Sequence, residues 1–135
     1  MNRWELVVTE GFSAAHSLPY HRGKCSSLHG HNYRVSVGIG AEGTLGVEAM
    51  VVDAVEARDA LREVLEQVDH KNLNDLPWFQ DTAPTMESVA LWVYWQLVRQ
   101  KKLENGGARL LWVEVSENGS SSIRYYAPER KGEER

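Results

Sequence analysis

The sequence predicts an α+β domain in which a four-stranded antiparallel sheet carries two helices on one face. Alternating apolar and polar residues mark strands near both ends of the chain, and apolar residues three and four apart mark two helices between them. The order strand, strand, helix, helix, strand, strand is typical of α+β folds. The chain has 135 residues, 42% of them hydrophobic and 25% charged, and this predicts a single globular domain, residues 1–128.

The first two strands are predicted within the first forty residues. Residues 4–12 and residues 29–39 alternate between apolar and polar side chains, as a strand with one buried face does. Residues 13–28 lack either periodicity and are predicted to form a loop. Because side chains alternate along a strand, His29 and His31 should point to the same side, the side of the apolar residues.

Two amphipathic helices are predicted in the middle of the chain. Asp53 with Glu56 resembles a capping box, and the apolar stripe that follows should end near Asp69. Thr85 is the expected cap of the second helix, which should run to about Gln100. This second helix is apolar on nearly all sides, so we expect one side of it to contact another subunit.

The C-terminal part of the chain is predicted to form a hairpin. Residues 69–84 are polar, contain two prolines and are expected to be a loop. Strands are predicted at residues 109–117 and 122–127, joined by a turn that begins at Asn118 and Gly119. The charged residues 129–135 are expected to be a disordered tail.

Charge and cysteine content limit the partners and the compartment. The net charge of −4 provides no basic surface for nucleic acid or an anionic membrane, so neither is expected as a partner. A single cysteine cannot form an internal disulfide, which favours a reducing compartment. The N-terminal residues lack an apolar signal core, and no segment approaches the roughly 18–20 apolar residues of a membrane span. The sequence therefore predicts a soluble, cytoplasmic protein.

A metal site is predicted where three of the five histidines surround the only cysteine. His16, His29 and His31 could supply three imidazole nitrogens, the ligand number of a catalytic zinc site with one open position. Ligand type alone also allows iron, copper or nickel, and each histidine taken singly is more often an ordinary strand-end residue. If Cys25 bound the metal, the site would be closed and structural. If Cys25 does not bind the metal, its thiol is a candidate base or nucleophile.

Three further residues are candidates for chemistry. Asp69 beside His70 could fix the tautomer of the imidazole, although adjacent side chains seldom bond with ideal geometry and a polar helix end is an equal alternative. Glu117 lies on the apolar side of its strand, where a carboxylate needs a partner such as a ligand edge with two N–H donors. The alternative is that Glu117 is a strand-end glutamate in solvent, and the residues alone favour this alternative. His21 is interpreted as a surface histidine.

These candidates belong to a set of motifs that together resemble the 6-pyruvoyltetrahydropterin synthase and 6-carboxytetrahydropterin synthase family. The resemblance extends from about residue 4 to residue 126, and the histidine and cysteine motif is its most specific part. The motifs are Phe12-Ser-Ala-Ala-His16, Cys25-x-x-x-His29-Gly-His31, Asp69-His70-Lys-Asn-Leu-Asn74, Pro84-Thr85-x-Glu87 and Val113-Glu-Val-Ser-Glu117.

The resemblance implies the T-fold, in which subunits join into a barrel and stack as an oligomer, usually a hexamer. It implies that the three histidines hold Zn²⁺ and that the strand-end Glu117 anchors a pterin. It also implies that Cys25, Asp69 and His70 perform proton transfers, in a site that lies between subunits. Cys25 and the Asp69–His70 pair would then meet across an interface.

The resemblance further implies a pterin triphosphate substrate. The compact loop before His29 is more like the branch that converts 7,8-dihydroneopterin triphosphate to 6-carboxy-5,6,7,8-tetrahydropterin, with release of acetaldehyde and triphosphate, on the route to queuosine. Cys25 argues against the branch with a glutamate near this position. The alternatives are a 6-pyruvoyltetrahydropterin synthase, which eliminates triphosphate, and a catalytically idle, zinc-stabilised oligomer that binds a pterin.

Overall fold

A computed structural model describes residues 1–129 as one mixed sheet with two helices packed on it. The α+β class is confirmed, and the strand order is β3-β1-β2-β4-β5. Helix α1 packs against β1, helix α2 packs against β4 and β5, and the helices contact each other. Of the predicted tail, residue 129 is described, and residues 130–135 lie outside the described residues. In chain order the elements are β1 (Arg3–His16), β2 (His29–Glu42), α1 (Ala54–Leu65), β3 (Lys71–Asn72), α2 (Met86–Gln100), β4 (Arg109–Ser116) and β5 (Ile123–Tyr126).

Strand β1 is longer than its sequence predicted. The expected loop at residues 13–28 begins only after His16, because residues 13–16 continue the antiparallel pairing with β2. The alternation also continues: Ala14 and His16 are buried on the helix side of the sheet, on the same side as Phe12. Alanine and serine contribute little to a hydrophobic pattern, which is why the prediction stopped at residue 12.

The fifth strand, β3, was not predicted. It consists of two residues, Lys71 and Asn72, which pair in parallel with Ala14 and Ala15 of β1. Just before it, the backbone N–H of His70 donates to the carbonyl of Ser13 at 2.6 Å. The prediction of a purely antiparallel, four-stranded sheet with a loop here was therefore wrong in this detail, since two residues are too few to show a periodicity.

Both helix starts agree with the sequence prediction. The Asp53 carboxylate accepts from the amide of Val55 at 2.7 Å, and the Thr85 hydroxyl accepts from the amide of Ser88 at 3.2 Å. Helix α1 ends at Leu65, four residues before the predicted end. The chain then tightens into turns that lead to the pairing of β3 with β1.

Helix α2 leaves two large apolar side chains outside the core of the single chain. Leu91 is 42% exposed and Trp95, one turn later, is 45% exposed, whereas the residues on the opposite side are buried. This is the side of the helix for which the sequence predicted a contact with another subunit, and that contact stays a prediction. Across residues 1–129, neither helix combines the length and the apolar character that crossing a membrane requires.

Candidate metal centre

The three histidines lie at one end of the β1–β2 ladder, on the helix side of the sheet. His16 of β1 faces His29 of β2 directly, and His31 is paired with Ala14 two residues along. Adjacent ring centroids are 4.5–5.0 Å apart, and one nitrogen of each ring lies within 4.8 Å of the other two. The sheet register thus brings together the three residues that the sequence proposed as ligands.

Backbone carbonyls orient two of the rings. Nδ1 of His16 lies 2.8 Å from the carbonyl oxygen of Pro84, and Nδ1 of His29 lies 2.7 Å from that of Ser27. A carbonyl oxygen can only accept, so in both rings Nδ1 carries the proton and Nε2 presents a lone pair. This is the usual arrangement of a metal-binding histidine, whose other nitrogen donates to a fixed acceptor.

Two of the imidazole nitrogens are buried without a partner. Nε2 of His16 and Nε2 of His31 are shielded from solvent and make no hydrogen bond. Leaving a buried acceptor unsatisfied costs about 1–3 kcal/mol, so such atoms indicate a missing partner. A divalent metal ion fits here, because three neutral imidazole nitrogens on one side of a sheet form the donor set of an open zinc site.

The surroundings of His16 favour the neutral ring that a metal requires. Burial lowers the pKa of His16, because the cation would lose its hydration there, although the Pro84 carbonyl opposes part of this effect. The hydroxyl of Tyr33 lies 3.2 Å from Nδ1 of His16, and the Tyr33 ring stacks on Phe12 at a centroid distance of 4.5 Å. Burial, and secondarily the charge of Glu117, raise the pKa of Tyr33, which keeps its hydroxyl protonated.

Glu117 turns towards the histidines rather than into solvent. It follows the last residue of β4, and its side chain is only 18% exposed. Oε1 lies 3.8 Å from Nε2 of His16, and Oε2 lies 3.5 Å from Nε2 of His31. The solvent-exposed alternative, which the residues alone favoured, is therefore wrong.

Asp69 and His70 form a hydrogen-bonded pair within one subunit, despite being adjacent. Oδ1 of Asp69 accepts a hydrogen bond from the backbone N–H of Ser13. Oδ2 of Asp69 lies 2.9 Å from Nδ1 of His70. His70 has a left-handed backbone, with φ of 58°, and this turn lets its ring reach back to the preceding carboxylate. The amide of Ser13, and after it His70, lowers the pKa of Asp69. The His70 ring is 81% exposed.

Among residues 1–129, Cys25 is not a member of the cluster formed by His16, His29 and His31. It sits in a one-turn 3₁₀ helix, Lys24–Ser26, between β1 and β2, where its carbonyl accepts from the amide of Leu18 at 2.7 Å. Its side chain is half-buried. Within residues 1–129, no hydrogen bond or ion pair links Cys25 or His70 to the three histidines.

Sequence reasoning did not find the groups that orient the rings. Ser27 and Pro84 act through their carbonyl oxygens, which carry no signal in the sequence. Tyr33 could have been found, because it shares the alternation of His29 and His31 on β2 and so must lie on the same side.

Comparisons with known proteins relate the chain to one family. A family model described as 6-pyruvoyl tetrahydropterin synthase matches residues 5–128. Over 130 residues the chain is 36% identical to a Synechocystis protein named 6-carboxy-5,6,7,8-tetrahydropterin synthase, covering 93% of this chain and 95% of the relative. An Aquifex aeolicus protein of the same name is 29% identical and covers 91% of this chain and 98% of its own. The solved structure of Caenorhabditis elegans 6-pyruvoyl tetrahydropterin synthase superposes with a TM-score of 0.81 at 28% identity, covering 95% of this chain and 98% of that one.

Proposed function

The chain belongs to the 6-pyruvoyl tetrahydropterin synthase family, and from this premise we propose that it converts 7,8-dihydroneopterin triphosphate to 6-carboxy-5,6,7,8-tetrahydropterin. Acetaldehyde and triphosphate are the other products. The observation that carries the proposal is the set of three converging histidines with buried, unpartnered nitrogens. The names of the Synechocystis and Aquifex relatives support the carboxy product over the pyruvoyl product.

Zn²⁺ is the proposed metal, held by His16, His29 and His31. When bound, it would supply a Lewis acid for the oxygens of the substrate side chain. The protein prepares this site itself, because the carbonyls of Pro84 and Ser27 fix two of the rings with Nε2 free. The domain that carries the site is residues 1–128.

Proton transfer is assigned to Cys25 and His70. Asp69 accepts the Nδ1 proton of His70, so Nε2 of that ring is left to accept a proton from the substrate side chain and to return it. The Cys25 thiolate would act as the second base, since it has no place in the histidine cluster of the single chain. Glu117 would accept the 2-amino and N3–H donors of the pterin ring, an edge that suits a carboxylate.

A homo-oligomer, most simply a hexamer, would complete the site. Within residues 1–129 no hydrogen bond or ion pair joins Cys25 or His70 to the three histidines, and Leu91 and Trp95 of α2 are 42% and 45% exposed. We propose that the Asp69–His70 pair of one subunit faces Cys25 of another, in a cytoplasmic enzyme of queuosine biosynthesis. Light scattering tests the assembly: a stable monomer at micromolar concentration would contradict the shared site.

The reaction is tested by incubating zinc-loaded protein with 7,8-dihydroneopterin triphosphate and identifying the products by mass. We expect 6-carboxy-5,6,7,8-tetrahydropterin, with acetaldehyde and triphosphate in equal amounts. Formation of 6-pyruvoyltetrahydropterin without acetaldehyde would replace the proposed activity with that of a 6-pyruvoyl tetrahydropterin synthase, the name given to the C. elegans structure. Tight pterin binding without turnover would indicate a catalytically idle binding protein.

A further inference from the structure

We propose that Asn74 is a positioning residue, whose side chain fixes the start of the loop that carries Cys25. This loop, the Cys25 loop, is residues 17–28 between β1 and β2. The inference rests on the proposed function only where it treats Cys25 as a base in the reaction. The anchoring of the loop itself is independent of the reaction and of its product.

The side-chain amide of Asn74 bonds both backbone polar groups of Ser17. Oδ1 of Asn74 accepts from the N–H of Ser17 at 2.8 Å, and Nδ2 of Asn74 donates to the carbonyl of Ser17 at 3.0 Å. Ser17 is the first residue after β1, where the ladder with β2 no longer provides partners for these two groups. A carboxamide carries an acceptor and a donor side by side, as a peptide unit does, so Asn74 takes the place of a neighbouring strand.

Asn74 is itself held in place by hydrogen bonds to its backbone. Its N–H donates to Oδ1 of Asn72 at 3.1 Å, and its carbonyl accepts from Nε2 of Gln80 at 2.8 Å. Asn72 belongs to β3 and pairs with Ala15 of β1. The Asn74 amide therefore continues the contact between β3 and β1 by one further step, to Ser17.

Few hydrogen bonds hold the Cys25 loop to the rest of the chain. Among residues 1–129, hydrogen bonds join it to other segments at two places, Ser17 and Ser27; the carbonyl of Ser27 lies 2.7 Å from Nδ1 of His29. The loop's remaining hydrogen bonds are internal. One of these passes the anchor on to the thiol residue, because the N–H of Leu18 donates to the carbonyl of Cys25 at 2.7 Å. Without the Asn74 amide, the first part of the loop would be released.

The segment that ends at Asn74 also carries the other proposed base. The N–H of His70 donates to the carbonyl of Ser13 at 2.6 Å, just before β3, and Asn74 bonds Ser17 just after it. One short segment, attached along the end of β1, thus supports His70 and the Cys25 loop of the same subunit. In the proposed oligomer these two groups would belong to different active sites.

The single cysteine makes the position of the loop measurable, since a thiol reagent can react only at Cys25. We would compare the rate of alkylation by iodoacetamide at one pH for the folded wild type, for Asn74→Ala and for the control Ser17→Ala. Asn74→Ala should react at least about fivefold faster, because the loop that holds the half-buried thiol loses both bonds to Asn74. Ser17→Ala should stay below that threshold, since Asn74 bonds the backbone of Ser17 and not its hydroxyl.

A smaller rise in Asn74→Ala, or an equal rise in Ser17→Ala, would overturn the assignment. Denaturant unfolding checks that each variant is folded. If Asn74→Ala does not fold, Asn74→Asp decides by the same threshold. Its carboxylate keeps one oxygen for the N–H of Ser17 but places the other opposite the carbonyl of Ser17, where two acceptors repel.

Turnover with 7,8-dihydroneopterin triphosphate tests the consequence for the reaction. Asn74→Ala should keep its metal and a KM within about twofold of the wild type but lose about tenfold in kcat, as a misplaced reacting group does. Faster alkylation with unchanged kcat would overturn the positioning role. Faster alkylation of Asn74→Ala in a protein without synthase activity would support the anchor and reject the proposed reaction. Synthase activity with a rise in alkylation below the threshold would do the reverse.

Discussion

Replacing Asp69 by asparagine should slow turnover strongly while leaving the fold intact. In the native structure the two oxygens of Asp69 serve different partners, the amide of Ser13 and Nδ1 of His70, each at 2.9 Å. Asparagine keeps one oxygen for Ser13 but presents an NH₂ group to His70. Two donors would then face each other, so His70 must move its proton to Nε2 or turn away.

The expected size of the effect follows from this geometry. In a catalytic triad, holding the histidine in the wrong tautomer costs about 10⁴ in kcat. The His70 ring is 81% exposed, so water can partly replace the lost carboxylate, and we expect a smaller loss, roughly 10²–10³ in kcat. That loss corresponds to about 2.7–4.1 kcal/mol of activation free energy. The free energy of unfolding should fall by less than ~1 kcal/mol, because the bond to Ser13 survives and Asp69 is 40% exposed.

Turnover by product mass and unfolding by denaturant measure the two effects separately. Asp59→Asn is the control, since Asp59 is another exposed carboxylate with a charged partner, Arg62 at 3.2 Å, and does not belong to the Asp69–His70 pair. The control should keep wild-type turnover. Asp69→Asn with kcat within threefold of the wild type would refute the assignment of Asp69 as the residue that sets the His70 tautomer.

The remaining predictions concern the metal, the thiol and pH. His29→Ala should lose bound metal and activity together in a folded protein, whereas His21→Ala, outside the cluster, should keep both; metal analysis of the purified variants decides. Cys25→Ala should keep its metal but turn over roughly 10²–10⁴-fold more slowly, the usual effect of losing a general base. The control Ser26→Ala should stay near wild-type turnover. Loss of metal from Cys25→Ala would indicate a closed structural site. In the metal-free protein burial lowers the pKa of His16, so the unfolded chain binds a proton that the folded chain resists. The free energy of unfolding should therefore decrease as pH falls through about 6.5, and a denaturation series that is flat from pH 8 to pH 5 would contradict this.

The features that the sequence predicted well are those with local signals. The caps Asp53 and Thr85 stand immediately before their helices, and each bonds an amide two or three residues ahead. The shared side of His29 and His31 follows from the period of two along a single strand. Neither prediction depends on how distant parts of the chain meet.

The features that the sequence did not predict depend on distant partners. The last residues of β1 are a strand because Ala14 and His16 pair with β2. Strand β3 forms because Lys71 pairs with Ala14. The inward turn of Glu117 depends on a register between β2 and β4 that no local pattern reports. A local sequence pattern does not reveal these pairings, because they depend on how all strands of the sheet align.

The β1–β2 ladder would also give the histidines a role in folding if they bind a metal. Residues 17–28 separate the two strands, too long a connection to set their alignment as a two-residue hairpin would. A slip of β2 by one residue would send His29 and His31 to the opposite side of the sheet, and a slip of two would carry them about 7 Å past His16. Of these alignments, only the native one brings the three imidazoles together. A bound metal would thus select the correct strand alignment from its competitors, and the metal-loaded fraction would report how faithfully the sheet had formed.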